Sequence, residues 1–271
     1  MPTIAVHTPN SQHKQLAQQI HEMLAAAIPL VEEATALPLP DTVSVELVSR
    51  DTLLDRYSAH IRGQVARDSA GLDLTRLQQT QADTAPQAAR FVLQHLWLEH
   101  EPVLIADSLG RPTTLIAPQA LKHQGTDTPD LLIEELVYAL AQQAQVAASG
   151  GRLVPIRFWP RTPVAKDSLA QLSDGHATWT TDRVAPLLQS GAADAPGRHE
   201  PALWMRAVGF RADRRAQRAT AFVGKAMSTI GPDAFNVLWT APELVPTPSE
   251  LRRPDRWFHR IPDHTALAPI D

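Results

Sequence analysis

Two stretches of the chain concentrate side chains able to exchange protons. The first, LLIEELVYALAQQAQ over residues 131–145, carries Glu134, Glu135 and Tyr138, and the second, SDGHATWTTDRV over 173–184, carries Asp174 and His176. Carboxyls, a phenol and an imidazole are the groups from which general acids and bases are made, provided that the fold brings them together. At about 100° per residue, the first stretch places Leu132, Ile133, Leu136, Val137, Leu140 and Ala144 on one side of a helix. Glu134, Glu135, Tyr138 and Gln142 share the other side. Patterning by itself reads that second face as solvated, so chemistry there requires something more.

Other candidates are weaker. His95 and His100 in HLWLEH, with Glu99 between them, stand about 140° apart on a helix and read as independent surface or core residues. Arg211, Arg214, Arg215 and Arg218, interrupted by Asp213, form either a solvated helix face or a contact for an acidic carrier or an anionic substrate group. Trp179 and Trp204 read as core or as the wall of a cleft.

The elements that must position these residues follow from periodicity. A helix is predicted from Ser11, its cap, to about Glu33, with Pro29 near its end. An alternating strand follows at 43–48, then a helix from Asp51 to Asp68 with Asp51 as its cap. The polar segment from Ala70 to Pro86 has no clear assignment, and 87–98 is helical. Val103 to Ala106 and Thr113 to Ile116, separated by Asp107-Ser108-Leu109-Gly110, read as a β-hairpin. Asp130 to Ala148 is the strongest helix, stopped by Gly150-Gly151. A proline-rich connector, Gly151 to Pro163, leads to a helix from Lys166 to about Leu188. After the loop from Ser190 to Pro201, a long helix beginning at Ala202 or Arg211 runs to Ile230, and a short one spans Pro232 to Trp239. The proline-rich tail from Ala241 is expected to wrap irregularly over the body. Strands set among helices, with a hairpin, fit an α+β fold better than a wound parallel sheet.

Composition narrows the function classes. With 44% apolar and 20% charged residues, the 271-residue chain can bury a core and is not a disordered one. Its 25 Lys and Arg against 29 Asp and Glu supply no diffuse positive field for a phosphate backbone, so nucleic acid is not an expected partner. The absence of cysteine excludes disulfides, Cys-ligated zinc, iron–sulfur clusters and thiol catalysis. No secretion signal and no membrane-length apolar run is visible, and a cytoplasmic location is expected. No Gly-x-Ser-x-Gly element marks an acyl-transfer serine, and Gly150-Gly151 lacks the wider pattern of a nucleotide loop.

From the hairpin onward the order of elements resembles that of the zincin metallopeptidases, in particular a bacterial branch whose motif helix reads HELVHALQ or similar and whose next helix carries EGHA. The runs Ala219-Thr220-Ala221-Phe222-Val223, Gly231-Pro232-Asp233-Ala234-Phe235-Asn236-Val237-Leu238-Trp239 and Pro242-Glu243-Leu244-Val245-Pro246-Thr247 are similar to the tail of zincin-like proteins associated with deazaflavin-cofactor biosynthesis. The resemblance runs from about residue 100 to about residue 260. It implies a mostly helical zincin-like fold with a small sheet, the hairpin preceding the motif helix. The chain is then one unit, 1–271, divisible at the cleft into 1–150 and a helical 151–271.

A zincin needs HExxH because two histidines four residues apart bind one zinc while the adjacent glutamate serves as base. The matching positions here are Glu134, Glu135, Leu136, Val137 and Tyr138, so both imidazoles are replaced and the base survives as Glu135. The glutamate of EGHA becomes Asp174, followed by Gly175, His176 and Ala177. An oxygen-only set of Glu134, Tyr138 and Asp174 is a poor zinc site, so neither metal nor cofactor is expected.

The resemblance further implies that Glu134, Glu135 and Asp174 converge, so that at least one carboxyl holds its proton and acid–base chemistry becomes available. The expected substrate is a small or carrier-bound amine-containing metabolite, undergoing elimination, substitution or ring closure. Tyr138 and His176 would assist, and Arg211, Arg214, Arg215 and Trp179 would contact the substrate. The alternative is a pseudo-peptidase that binds a peptide, carrier or partner subunit by strand addition at Thr113 to Ile116. A metallopeptidase with unusual ligands is a third reading.

Overall fold

The computed structural model describes residues 1–96, 102–151, 166–189 and 203–261, and of 96, 166, 167, 203–216 and 242 the backbone alone. Among these described residues four strands form one mixed sheet: β1 (Thr3–His7), β2 (Thr42–Leu47), β3 (Val103–Ala106) and β4 (Pro112–Ile116), in the order β1-β2-β4-β3. The fold is α+β and mostly helical, as the sequence predicts. In β2, Val43, Val45 and Leu47 are buried while the residues between them are not, the period-2 pattern of a strand with one covered face. β1 pairs with β2 in parallel from Thr3↔Thr42, and β2 pairs with β4 in parallel from Val45↔Thr114. The predicted hairpin is present, with β3 antiparallel to β4 from Val103↔Leu115.

Because β4 is bonded on both sides, it is an interior strand, and the expectation that Thr113 to Ile116 offers a free edge is wrong. The sheet edges are β1 and β3. At the end of β3 the buried His60 of α2 (Arg50–Ser69) brings Nδ1 to 3.1 Å from the Ala106 carbonyl oxygen. That edge position is therefore already covered from the helix side.

Helix α1 (Lys14–Thr35) crosses from β1 to β2, and Pro29 lies inside it. α2 is capped by Ser49, whose hydroxyl accepts from the Thr52 N–H, rather than by Asp51. α3 (Arg76–Leu96) extends through the polar segment that periodicity left unassigned. Only Ala82, Pro86 and Leu93 of that helix are buried among its described residues, a stripe too sparse, and too poor in large apolar side chains, to announce it. α4 (Pro118–Gln124) follows β4, then α5 (Pro129–Ala148), α6 (Lys166–Leu188) and α7 (Leu203–Asn236). The break expected after Ile230 is real: Gly231 sits at φ 81°, a conformation that favours glycine, and Pro232 opens the second stretch.

The main core joins Ile20, Leu24 and Ile28 of α1, Val43 and Val45 of β2, Leu132, Leu136 and Leu140 of α5, Leu172 of α6 and Phe222 of α7. Between Ala241 and Ile261 the chain is more regular than its prolines suggest, and 262–271 lie outside the described residues. It forms α8 (Pro248–Arg252) and α9 (Pro254–Arg260), each with its proline in the first turn, where no N–H is missed. Trp257 is fully buried and donates through Nε1 to the Leu244 carbonyl at 2.7 Å. Arg260 grips Glu250 in a fork, Nε to Oε1 at 2.7 Å and Nη2 to Oε2 at 3.1 Å. The tail is thus fastened onto the core rather than draped over it.

α6 lies between α5 and α7, and Gly175 sets how closely α7 approaches. A methyl group at residue 175 would stand 2.5 Å from the Ala219 side chain and 2.6 Å from its backbone carbon. The glycine following Asp174 is therefore a packing requirement. Gly175→Ala is predicted to destabilise the protein by about 2 kcal/mol, the overpacking cost exceeding the gain in helix propensity. Urea unfolding measures this, and an unchanged midpoint would contradict the close approach.

Candidate functional site

α5 is covered on nearly every side. Besides its apolar residues, Glu135 is 8% exposed, Gln142 7%, Gln143 1% and Gln145 1%. The face carrying Glu134, Glu135 and Tyr138 is consequently not a solvated one: α6 packs over it. Glu134 and Tyr138, four residues apart, neighbour each other on the helix surface, as do Glu135 and Tyr138 at three.

Tyr138 and Asp174 are brought into direct contact: the phenol donates to Oδ1 of Asp174 at 3.1 Å. Glu134 accepts through Oε1 from Nε2 of Gln189 at 2.9 Å, and the same amide donates to the Asp130 carbonyl at 3.1 Å. Gln189, just beyond the end of α6, thus orients Glu134. Nothing in the sequence pattern marks Gln189 for this task.

His176 is placed elsewhere. Two residues after Asp174, it points to another side of α6 and is fully buried. Its ring stacks on Phe235 at 5.8 Å between centroids and meets Trp239 edge-on at 5.3 Å, while Nδ1 lies 2.9 Å from Nε2 of Gln145. It therefore belongs to an aromatic cluster, away from the Tyr138–Asp174 contact. Trp179 is partly buried against the main core, with the Arg183 guanidinium 4.4 Å above its ring. Arg211, Arg214 and Arg215 lie on α7, their side chains outside the described residues, and Arg218 is exposed. His95 is exposed, its Nδ1 2.8 Å from the Phe91 carbonyl oxygen, and His100 lies outside the described residues.

The zinc that the resemblance implies does not fit the donor set. Neither of the two motif positions offers a nitrogen, the Tyr138 hydroxyl spends its proton on Asp174, and Glu134 is engaged by an amide donor. Among the described residues no three His, Asp or Glu side chains gather closely enough to hold an ion. Glu134, Glu135 and Asp174 thus occupy facing helices without meeting at one ion-sized point. A cavity of about 840 Å³ opens at the other end of α5, between Leu39, Thr42 and Ser44 on one side and Arg111, Thr113 and Ala148 on the other. It does not include the Tyr138–Asp174 pair.

Burial lowers the pKa of His176 to about 3 and that of His60 to about 4. An unfolded chain protonates both imidazoles near 6.5, so from there down to about pH 4 the unfolded state binds more protons than the folded one. Stability is full above pH 6.5 and falls as pH drops through that window, each ring contributing up to about 1.4 kcal/mol per pH unit. Urea midpoints between pH 7 and pH 4 are predicted to fall steeply, and less steeply in His176→Asn. A slope that His176→Asn leaves unaltered would show that this ring is not held neutral.

Residues 195–258 match the model of a family described as zincin-like metallopeptidase. Among solved structures, a protein from Chloroflexus aurantiacus described as a candidate hydrolase with a novel fold is similar at 15% identity, with a TM-score of 0.55 over 93% of this chain and 92% of that one. At that identity the likeness is one of fold. No curated protein matches. Among the described residues no helix is long and apolar enough to cross a membrane. The family match overlaps residues 219–247, the stretch that carries the C-terminal resemblance.

Proposed function

We propose that the chain uses the position of a zincin metal centre for acid–base chemistry that needs no metal, on a small or carrier-bound metabolite bearing an amine. The observation that carries this reading is the 3.1 Å hydrogen bond from the Tyr138 hydroxyl to Asp174 across α5 and α6. It joins two positions that in a metallopeptidase would face each other through zinc. A carboxylate holding a phenol fixes both the orientation and the proton of that phenol, which can then be passed to a leaving group or a developing oxyanion. Glu135, buried one turn before Tyr138, is the base for the substrate amine. Glu134, oriented by Gln189, adds negative charge that favours an ammonium group.

Elimination, substitution or ring closure suits this equipment, because holding two reacting groups in place supplies much of the rate of such reactions. Arg211, Arg214, Arg215 and Trp179 are proposed to contact the remainder of the substrate. His176, enclosed by aromatic rings, supports α6 and takes no part in proton transfer. The non-catalytic reading loses its route through β4, which has no open edge.

The experiment is to incubate the purified full chain with a bacterial metabolite extract and follow amine-bearing species by mass spectrometry. Turnover is expected to persist in the presence of a chelator and to fall about 100-fold or more in Glu135→Gln and in Asp174→Asn, the range for lost acid–base groups. Loss of turnover on chelation, or unaltered turnover in both variants, would overturn the proposal. Tight capture of a metabolite or carrier without chemical change would do the same in favour of a binding protein.

A further inference from the structure

The side chain that registers α6 on α5 is not among those with obvious chemistry. Gln145 follows Tyr138 by seven residues, two helical turns, and so projects from nearly the same face of α5. Both the nitrogen and the oxygen of its amide are bonded. Nε2 donates to the Ser173 carbonyl at 3.1 Å and lies 2.9 Å from Nδ1 of His176, while Oε1 accepts from the Ser173 hydroxyl. Ser173 and His176 bracket Asp174 on α6, and all three members of the network are buried: Gln145 1% exposed, Ser173 4% and His176 0%.

We infer that Gln145 is a positioning residue: its amide, clamped between Ser173 and His176, sets the α5–α6 register that brings Asp174 to the Tyr138 hydroxyl. The pair it positions takes its importance from the acid–base reading above, but the clamp itself is testable without any substrate.

The bonding also fixes the state of His176. A backbone carbonyl can only accept, so the atom facing the Ser173 carbonyl must be the amide nitrogen. Both of its hydrogens are then committed, and Nδ1 of His176 can only accept the second. The imidazole is neutral with its proton on Nε2. Among the described residues that N–H has no hydrogen-bond partner, and the ring lies against Phe235 and Trp239, where an N–H can still rest against a π-face. A carboxylate in place of the amide would reverse this logic, since it accepts but does not donate.

The experiment uses the full chain labelled with ¹⁵N. In the wild type, long-range proton–nitrogen spectra are expected to show His176 with an unprotonated Nδ1 and a protonated Nε2, unchanged from pH 7 to pH 5. In Gln145→Glu the proton is expected to move to Nδ1, or the ring to become an imidazolium. The Tyr138 ring resonances are expected to shift as well, and they are readily assigned because the chain has only two tyrosines. Gln145→Leu should move the Tyr138 signals too, leaving those of Tyr57 in place. A wild-type ring protonated on Nδ1 would overturn the inference without any variant. Tyr138 signals that are indifferent to both substitutions in folded protein would also overturn it. Failure of the metabolite experiment alongside the expected spectra would leave the clamp standing and remove only the acid–base reading.

Discussion

A polar group buried between two helices must find its hydrogen bonds there, because an unsatisfied one costs about 1–3 kcal/mol. The interface between α5 and α6 obeys this constraint at its centre, through the amide of Gln145, the hydroxyl and carbonyl of Ser173 and Nδ1 of His176. Apolar helix faces tolerate sliding, since one leucine contact replaces another at little cost. A network that uses every donor of one amide does not. Moving α6 by a turn, about 5.4 Å, would leave several of these groups unbonded in the core, and the Tyr138–Asp174 contact would be lost with them.

The second control on α6 comes from its other side. Gly175 lets α7 approach until the backbone at Ala219 touches it, so α6 is fixed by a polar contact on α5 and by a steric one on α7. Asp174, Gly175 and His176 are consecutive in the chain and serve three separate purposes: a bond to the candidate site, room for a helix, and an aromatic cluster. On a helix, successive side chains point about 100° apart, and this is why a short motif can serve three neighbours at once. Two of the three, Gly175 and His176, hold the fold together.

Much of this was legible in the sequence and some was not, for physical reasons. α5 and α6 follow from periodicity to within one residue, and the hairpin from alternation and its glycine turn. β1 was missed because five residues at the chain start, TIAVH, give too short a pattern, and its pairing with β2 is a tertiary event. α3 was hidden by its polarity. The polar face of α5 read as solvated because glutamines in an alanine-rich helix look like surface residues. Gln143 in fact joins the Ser44 carbonyl of β2 to the Thr114 hydroxyl of β4, and Gln145 joins α6. His176, taken from the motif as a catalytic candidate, lies buried against Phe235 and Trp239: local sequence cannot say which side of a helix faces a cleft and which faces an aromatic cluster built from residues far later in the chain.

The proposed function rests on Tyr138 and Asp174 facing each other across α5 and α6 as ligands of one metal would. Zinc titration of the double variant Glu134→His with Tyr138→His, read by calorimetry and elemental analysis, decides whether they do. With histidines four residues apart on α5 and Asp174 facing them from α6, the account predicts one zinc per chain, bound at least about 100-fold more tightly than by the unaltered protein. A folded double variant that binds no zinc would contradict the account, because α5 and α6 would then not face each other as a metal centre requires.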